Sequence, residues 1–191
     1  MALPEGNRRM IEESIRIILM ALGEDPEREG LRDTPKRVAD LYDDVLDGAF
    51  AEPPKVTAFV EETVNHMVVV HHVPFYGFCE HHLAMFFGHF SIGYVPDKKL
   101  VGLSKLVRIF RHFTKRVTIQ ERLTEQSVDG LVQLVEPKGA IVYVNAEHTC
   151  MSLRGVKSPG SRTTTIAARG IFQSDSELRQ QFVGEARNGS R

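Results

Sequence analysis

The placement of two cysteines is what most constrains how this chain can fold. Each stands beside histidines, as Cys79-Glu80-His81-His82 and His148-Thr149-Cys150, with the two cysteines 71 positions apart. Two cysteines do not make a disulfide framework, and thiolate with imidazole is a ligand set for a soft-to-borderline metal. If both clusters serve one ion, the fold has to bring two distant segments to one point. Cys79, one histidine of the His81-His82 pair and Cys150 would then form a Cys2His site with an open fourth position, the arrangement of a catalytic zinc. Neighbouring residues of extended chain point to opposite sides, so the second histidine would stand beside the metal as an acid or base. Two plainer readings stay open here. The cysteines could be buried near incidental histidines, or a structural zinc could be closed by a fourth ligand such as His148.

The remaining pattern places these clusters in a single α+β domain. Ile11, Ile15, Ile18 and Leu22 recur at helical spacing over 7–22, with Gly23 as the stop. Thr34-Pro35 reads as an N-cap and a first-turn proline, and Val38, Leu41, Tyr42 and Val45 carry that helix to Gly48. AEPPK breaks the chain, and from about residue 56 the texture turns to strand: HMVVVHHV, then FSIGYV with a period near two. A helix opens near Ser104 with Leu106, Val107, Phe110 and Phe113 on one stripe. Thr118 and Glu121 form a capping-box pattern ahead of Val128, Leu131, Val132 and Val135. AIVYVNA and RTTTIAARGIF read as strands, and Ser174 with Glu177 caps a last helix through Leu178 and Phe182. Blocks of strands and helices without strict alternation imply a mainly antiparallel sheet packed with helices, behind an N-terminal helical segment.

Composition excludes several classes. Apolar residues are 42% and charged residues 26% of 191, too rich in core formers for wholesale disorder. Lys plus Arg is 24 against 25 Asp plus Glu, which is not the balance of a bulk nucleic-acid binder. No apolar run approaches the roughly 20 residues of a membrane span. The start, MALPEGNRRMIEES, reaches acidic residues before any long apolar stretch, so a cytoplasmic address is expected.

Two further features suit a substrate. Gly102-Leu-Ser104-Lys105-Leu-Val-Arg108 opens a helix with backbone N–H groups and cations that could take an anion, although a solvated helix face has the same appearance. Arg154 and Arg162, close after Cys150, add cations near the metal. Gln120-Glu121 offers a carboxylate to paired N–H donors such as those of guanine, while Glu121 also fits the capping box. His71-His72 read as strand-edge residues and His112 as a helix-surface one, and His89 could line a cleft.

Together these segments closely resemble the GTP cyclohydrolase I family. The matching stretches are GLRDTPKRVADLY, PFYGFCEHHLAMFFG, YVPDKKLVGLSKLVRIF, TKRVTIQERLTEQ, AEHTCMSLRGV and SRTTTIAARGIF, spanning about residues 30–172 in the family's order. The resemblance implies a Zn2+ enzyme that converts GTP and water into 7,8-dihydroneopterin triphosphate and formate. By position, Cys79, His82 and Cys150 match the zinc ligands, and His81 and His148 the proton-transfer histidines. Gln120 and Glu121 match the guanine contacts. Ser104, Lys105, Arg108 and Arg154 match the ribose-triphosphate site, with Ser104 also a proton carrier. Arg37 matches a cation lent by a neighbouring subunit. The implied fold is the tunnelling fold, in which subunits join sheets into a barrel, typically as a homodecamer of two pentamers with sites at subunit boundaries. The chain would be one catalytic domain over 1–191, with 1–50 its helical region and 56–187 its α+β core.

Two positions depart from the family pattern. Many relatives carry a lysine where this chain has Asp40, and leucine-proline usually follows CEHH where Leu83 is here followed by Ala84-Met85. A structural-zinc nucleotide-binding module and another tunnelling-fold enzyme acting on a purine or pterin are the competing readings.

Overall fold

The computed structural model describes residues 3–49, 51–55, 57–60 and 64–188. The core boundary expected at residue 56 falls outside them. The chain divides into two compact units, Met1–Glu52 and Pro53–Arg191.

The first unit pairs two helices, α1 (Glu5–Ala21) and α2 (Thr34–Leu46), followed by a 3-10 turn over Asp47–Ala49. Leu22 and Gly23 end α1, and Gly23 takes the left-handed backbone (φ +83°) that a stop of this kind needs. Asp33, and not Thr34, holds the N-cap position of α2, with Pro35 just inside the helix. The apolar stripes are only partly covered. No α1 residue is buried, and Leu41 of α2 is 49% exposed while Ala39 is enclosed. Two short helices cannot enclose a full stripe. Arg8 ties them together instead, through ion pairs to Asp40 and Asp43, and Lys36 reaches Asp40 at 2.8 Å.

The second unit is built on a five-stranded mixed sheet. Its strands are β2 (Val68–Cys79), β3 (Met85–Val95), β5 (Val117–Thr118), β6 (Gly139–His148) and β7 (Thr163–Gly170), in the order β5-β2-β3-β6-β7. The pairs β2–β3, β3–β6 and β6–β7 are antiparallel, and the two-residue β5 joins β2 in parallel. A small separate pair joins β1 (Ala58–Val60) to β4 (Lys99–Val101). Alternation along a strand gives the sheet two faces. Phe86, Phe90, Ile92 and Tyr94 of β3 and Ala140, Val142, Val144 and Ala146 of β6 point to one face, where they pack against α3 (Leu103–Thr114) and α4 (Gln120–Val135). Phe90 stacks on Phe110 with centroids 3.7 Å apart, and Phe75 meets both rings edge-on, geometries worth about 0.5–1.5 kcal/mol each beyond burial. Ile141, Tyr143 and Val95 face the other way, under α6 (Ile171–Ser174) and α7 (Ser176–Asn188).

Several expectations are corrected at element ends. Thr118 is drawn into β5 opposite Cys79, so α4 begins at Gln120 with Ile119 as N-cap and without a side-chain capping bond. The Thr118–Glu121 capping box therefore does not form. Ile171-Phe172 leave the sheet for the short turn α6. Ser174 belongs to that turn, and Asp175 caps α7 by accepting from the Leu178 N–H at 2.9 Å. His112 is buried and sits 3.3 Å from Arg116, not on the helix surface. Among the described residues, no helix is long and apolar enough to cross a membrane.

Candidate active site

Antiparallel pairing sets the site's location. The end of β2, the start of β3 and the end of β6 all lie at one end of the sheet, and they carry Cys79, Met85 and His148. The Cys79–Ala84 turn closes on itself: Cys79 N–H donates to the Ala84 carbonyl at 2.9 Å, and Leu83 N–H, at φ +49°, donates to the Cys79 carbonyl at 2.8 Å. Ala84, at one of the two departures, thus supplies the closing acceptor. Glu80 N–H donates to the Thr118 carbonyl at 3.1 Å, and the Thr149 hydroxyl donates to the Met85 carbonyl at 2.6 Å. The turn is thereby fastened to β5, just ahead of α4, and the first residue of β3 after it to α5 (Thr149–Ser152), the short helix that carries Cys150.

Among the described residues, Cys79, His82 and Cys150 form one group whose ligand atoms lie within 4.8 Å of one another. Cys79 is buried, Cys150 half-buried and His82 exposed. His81 and His82 stand in a turn and not in extended chain, so a bend and not strand alternation separates them. Their rings meet at 75° with centroids 6.3 Å apart. His148 is not part of the group, so the four-ligand closure considered above does not form here. Two thiols and an imidazole at this spacing suit a tetrahedral metal with one position left open. Burial, and then the neighbouring Cys79, push the Cys150 thiol up, while Arg154 pulls it down. A cation between the two sulfurs would relieve that penalty, so the donor set fits the metal.

The group borders an open cavity of about 210 Å³ lined by His81, Gln120, Glu121, His148, Met151 and Thr163, among others. His148 is half-buried. Burial holds its imidazole below the usual histidine range, and the Glu121 carboxylate acts in the opposite direction. Glu121 is exposed at the cavity wall. Gln120 is enclosed, with its amide oxygen 2.8 Å from His148 Nε2. Arg154 lies 2.7 Å from His82 Nε2, which brings it to the metal group as the spacing suggested. Arg162 does not join it, because its guanidinium is held on Asn145, whose side chain is on the opposite sheet face.

The other expected residues do not line this cavity. Ser104 and Arg108 are exposed on α3, and Lys105 donates to the Lys55 carbonyl at 3.2 Å; none of the three lines the cavity. Arg37 is exposed on α2 in the first unit, 3.4 Å from Asp33. His89 does line a cavity, beside His72, Ser91 and Asn145, away from the metal group.

Sequence reasoning missed four contributors. Arg122 forms a two-point ion pair with Glu80, joining α4 to the metal-bearing turn and holding the Glu80 carboxyl below its ordinary range. The clue was opposite charge inside two chemistry-bearing stretches. Phe86 stacks on His148, and Thr163 and Thr165 fasten Gln120. Nothing local in the sequence signals those three.

A sheet end that gathers two cysteines and a histidine able to hold a metal, beside a half-buried histidine, has the make-up of a metal-centred enzyme site. The family described as GTP cyclohydrolase I matches residues 11–187. A GTP cyclohydrolase 1 of Geobacillus kaustophilus is 47% identical over 184 residues, covering 95% of this chain and 97% of the relative. That of Carboxydothermus hydrogenoformans is 46% identical over 93% of each chain, and that of Wolinella succinogenes is 43% identical over 96% of this chain and 100% of its own. The chain belongs to the GTP cyclohydrolase I family.

Proposed function

We propose that this chain is a zinc-dependent hydrolase that converts GTP and water into 7,8-dihydroneopterin triphosphate and formate, the first step of pterin- and folate-type biosynthesis. The observation that carries the reading is the convergence of Cys79, His82 and Cys150 within 4.8 Å beside His148, Gln120 and Glu121 in a chain of this family. Cys79, His82 and Cys150 would hold the zinc, which would supply Lewis acidity able to bring the pKa of water to about 7.

The residues then divide the work. Glu121 accepts from the paired N–H donors of guanine and fixes the base in the cavity. His81 donates a proton to N7, which makes C8 electrophilic, and water adds at C8. The imidazole ring opens, and a second water releases formate from the resulting formamide. The ribose rearranges and closes on the freed amine with loss of one water, so the net consumption is one water. His148 and Ser104 carry protons through the rearrangement. The triphosphate is not cleaved. Arg154, Lys105, Arg108 and Arg37 hold it, which keeps C8 over the metal group.

The cavity supports a shared site. At about 210 Å³ it is below the roughly 300–1,000 Å³ of a pocket that encloses a drug-sized ligand. It suits the base, and Ser104, Lys105 and Arg108 do not line it. We read those residues, with Arg37, as serving the site of a neighbouring copy in a tunnelling-fold homodecamer of two pentamers. On this reading residues 1–191 are one cytoplasmic catalytic domain, with 1–50 its helical region and 56–187 its core. The test is incubation with GTP and zinc, followed by measurement of formate and of the fluorescent oxidised pterin. Bound GTP with no formate would leave a nucleotide-binding module in place of an enzyme.

A further inference from the structure

Gln120 stands at the first position of α4 and is 1% exposed. Its amide nitrogen donates to the Thr163 carbonyl at 3.0 Å and to Thr165 Oγ1 at 3.1 Å, with the Val144 carbonyl 3.3 Å away. Its amide oxygen lies 2.8 Å from His148 Nε2. Because carbonyls only accept, the directions are determined. The Thr163 carbonyl requires the nitrogen of the amide on its side, which turns the oxygen to His148. Thr124 Oγ1 lies 2.7 Å from the Gln120 backbone carbonyl, so its proton goes there. The 2.6 Å contact between the Thr124 and Thr165 hydroxyls is then donated by Thr165. That leaves the Thr165 oxygen to accept from the Gln120 amide. The amide nitrogen shares two hydrogens among three acceptors, but every arrangement keeps the nitrogen on the side of the two carbonyls, and a carboxamide oxygen cannot donate, so His148 Nε2 carries a hydrogen.

We propose that Gln120 is a positioning residue, not a guanine contact, and that it holds His148 with its proton on Nε2 so that Nδ1 is the nitrogen that exchanges protons with substrate. Which nitrogen of a histidine is protonated follows from the bond the other makes. Here a buried and fully engaged amide makes that choice, and the Phe86 ring, stacked at 4.8 Å and 3°, fixes the ring plane. For a guanine contact the amide would have to break bonds to Thr163, Thr165 or His148. The proton-transfer role of His148 rests on the activity proposed above. Its tautomer does not.

Neutron diffraction from perdeuterated crystals of the zinc-loaded protein reads the tautomer directly. A deuteron on His148 Nε2 is expected, and one on Nδ1 with none on Nε2 would overturn the proposal. Kinetics reads the role. Gln120→Ala is expected to lower kcat for GTP about 10- to 100-fold, the scale on which partners that orient a metal-ligating histidine act, with KM for GTP little changed. Gln120→Glu retains an acceptor for Nε2–H and is expected to recover part of kcat. A raised KM with unchanged kcat in Gln120→Ala would show a guanine contact and sink the idea. If that variant does not fold, the neutron map decides. Wild-type protein that forms no formate would overturn the proton-transfer role together with the activity, while a deuteron on Nε2 would still establish the tautomer.

Discussion

Phe86 and His148 are register partners on neighbouring antiparallel strands, and their rings stack with centroids 4.8 Å apart and planes 3° from parallel. Gly77 is the partner of Phe86 on β2, the strand on the other side of β3 from β6, and an added Cβ there would come within 2.6 Å of the Phe86 ring. Glycine, aromatic ring and imidazole are thus layered across three strands, and the plane of a histidine beside the metal group depends on a residue with no polar atoms in its side chain.

Gly77→Ala should therefore disturb the site without touching it. Overpacking of a core costs about 1–3 kcal/mol, and the displaced Phe86 ring should tilt His148. Denaturant midpoint and GTP turnover are expected to fall together. Unchanged turnover in a destabilised variant would separate the stack from catalysis.

Metal binding should fail with any of three substitutions. Cys79→Ser and Cys150→Ser each replace a thiolate by a poor ligand, and His82→Ala removes the imidazole. Zinc content by elemental analysis and formate release should be lost in parallel. A variant with full zinc and wild-type turnover would remove that residue from the site.

His81→Ala should keep zinc and lose chemistry. His81 is outside the group of atoms within 4.8 Å, and loss of a general acid costs about 10²–10⁴-fold. Zinc lost along with activity would mean that His81 and His82 have exchanged roles.

Glu121→Gln should separate base recognition from folding. The residue is exposed and α4 has no side-chain cap bond, so Tm is expected to stay. The amide turns an N–H₂ toward guanine's own donors, and an unpaired buried donor costs roughly 1–3 kcal/mol. GTP affinity should fall about 5- to 150-fold. Unchanged affinity, or a large fall in Tm, would show that the carboxylate does not hold the base.

His89 should make stability depend on pH. Burial, and then the charges of His72 and Arg162, hold its imidazole below the ordinary 6.5, and its ring stacks on His72 at 3.8 Å. Just below pH 6.5 the unfolded chain binds more protons at this residue than the folded one. Stability then rises with pH across that window and is lost as pH falls through it. Denaturant midpoints from pH 7 to 5 should fall less steeply in His89→Gln. An identical slope would show that His89 contributes nothing to it.

Local pattern carried some residues a long way. The two Cys-His clusters announced themselves by type and spacing, and the core faces of β3 and β6 follow from their alternation. Local pattern failed at Thr118, where a capping box is chemically sound within four residues but loses to pairing with Cys79 of β2. It failed in the same way at Ser174, where α6 absorbs the residue and Asp175 takes over the cap.

By itself the sequence determined the ligand types, the apolar periodicities and the family, because each is a property of residue identity at short or fixed spacing. Tertiary structure alone decided that Arg162 turns to Asn145 while Arg154 reaches His82, that Arg122 clasps Glu80, and that Gln120 is committed to His148, Thr163 and Thr165. Those partners are 17 to 72 positions apart. Strand register and helix packing bring them together, and no propensity of the local chain contains that information.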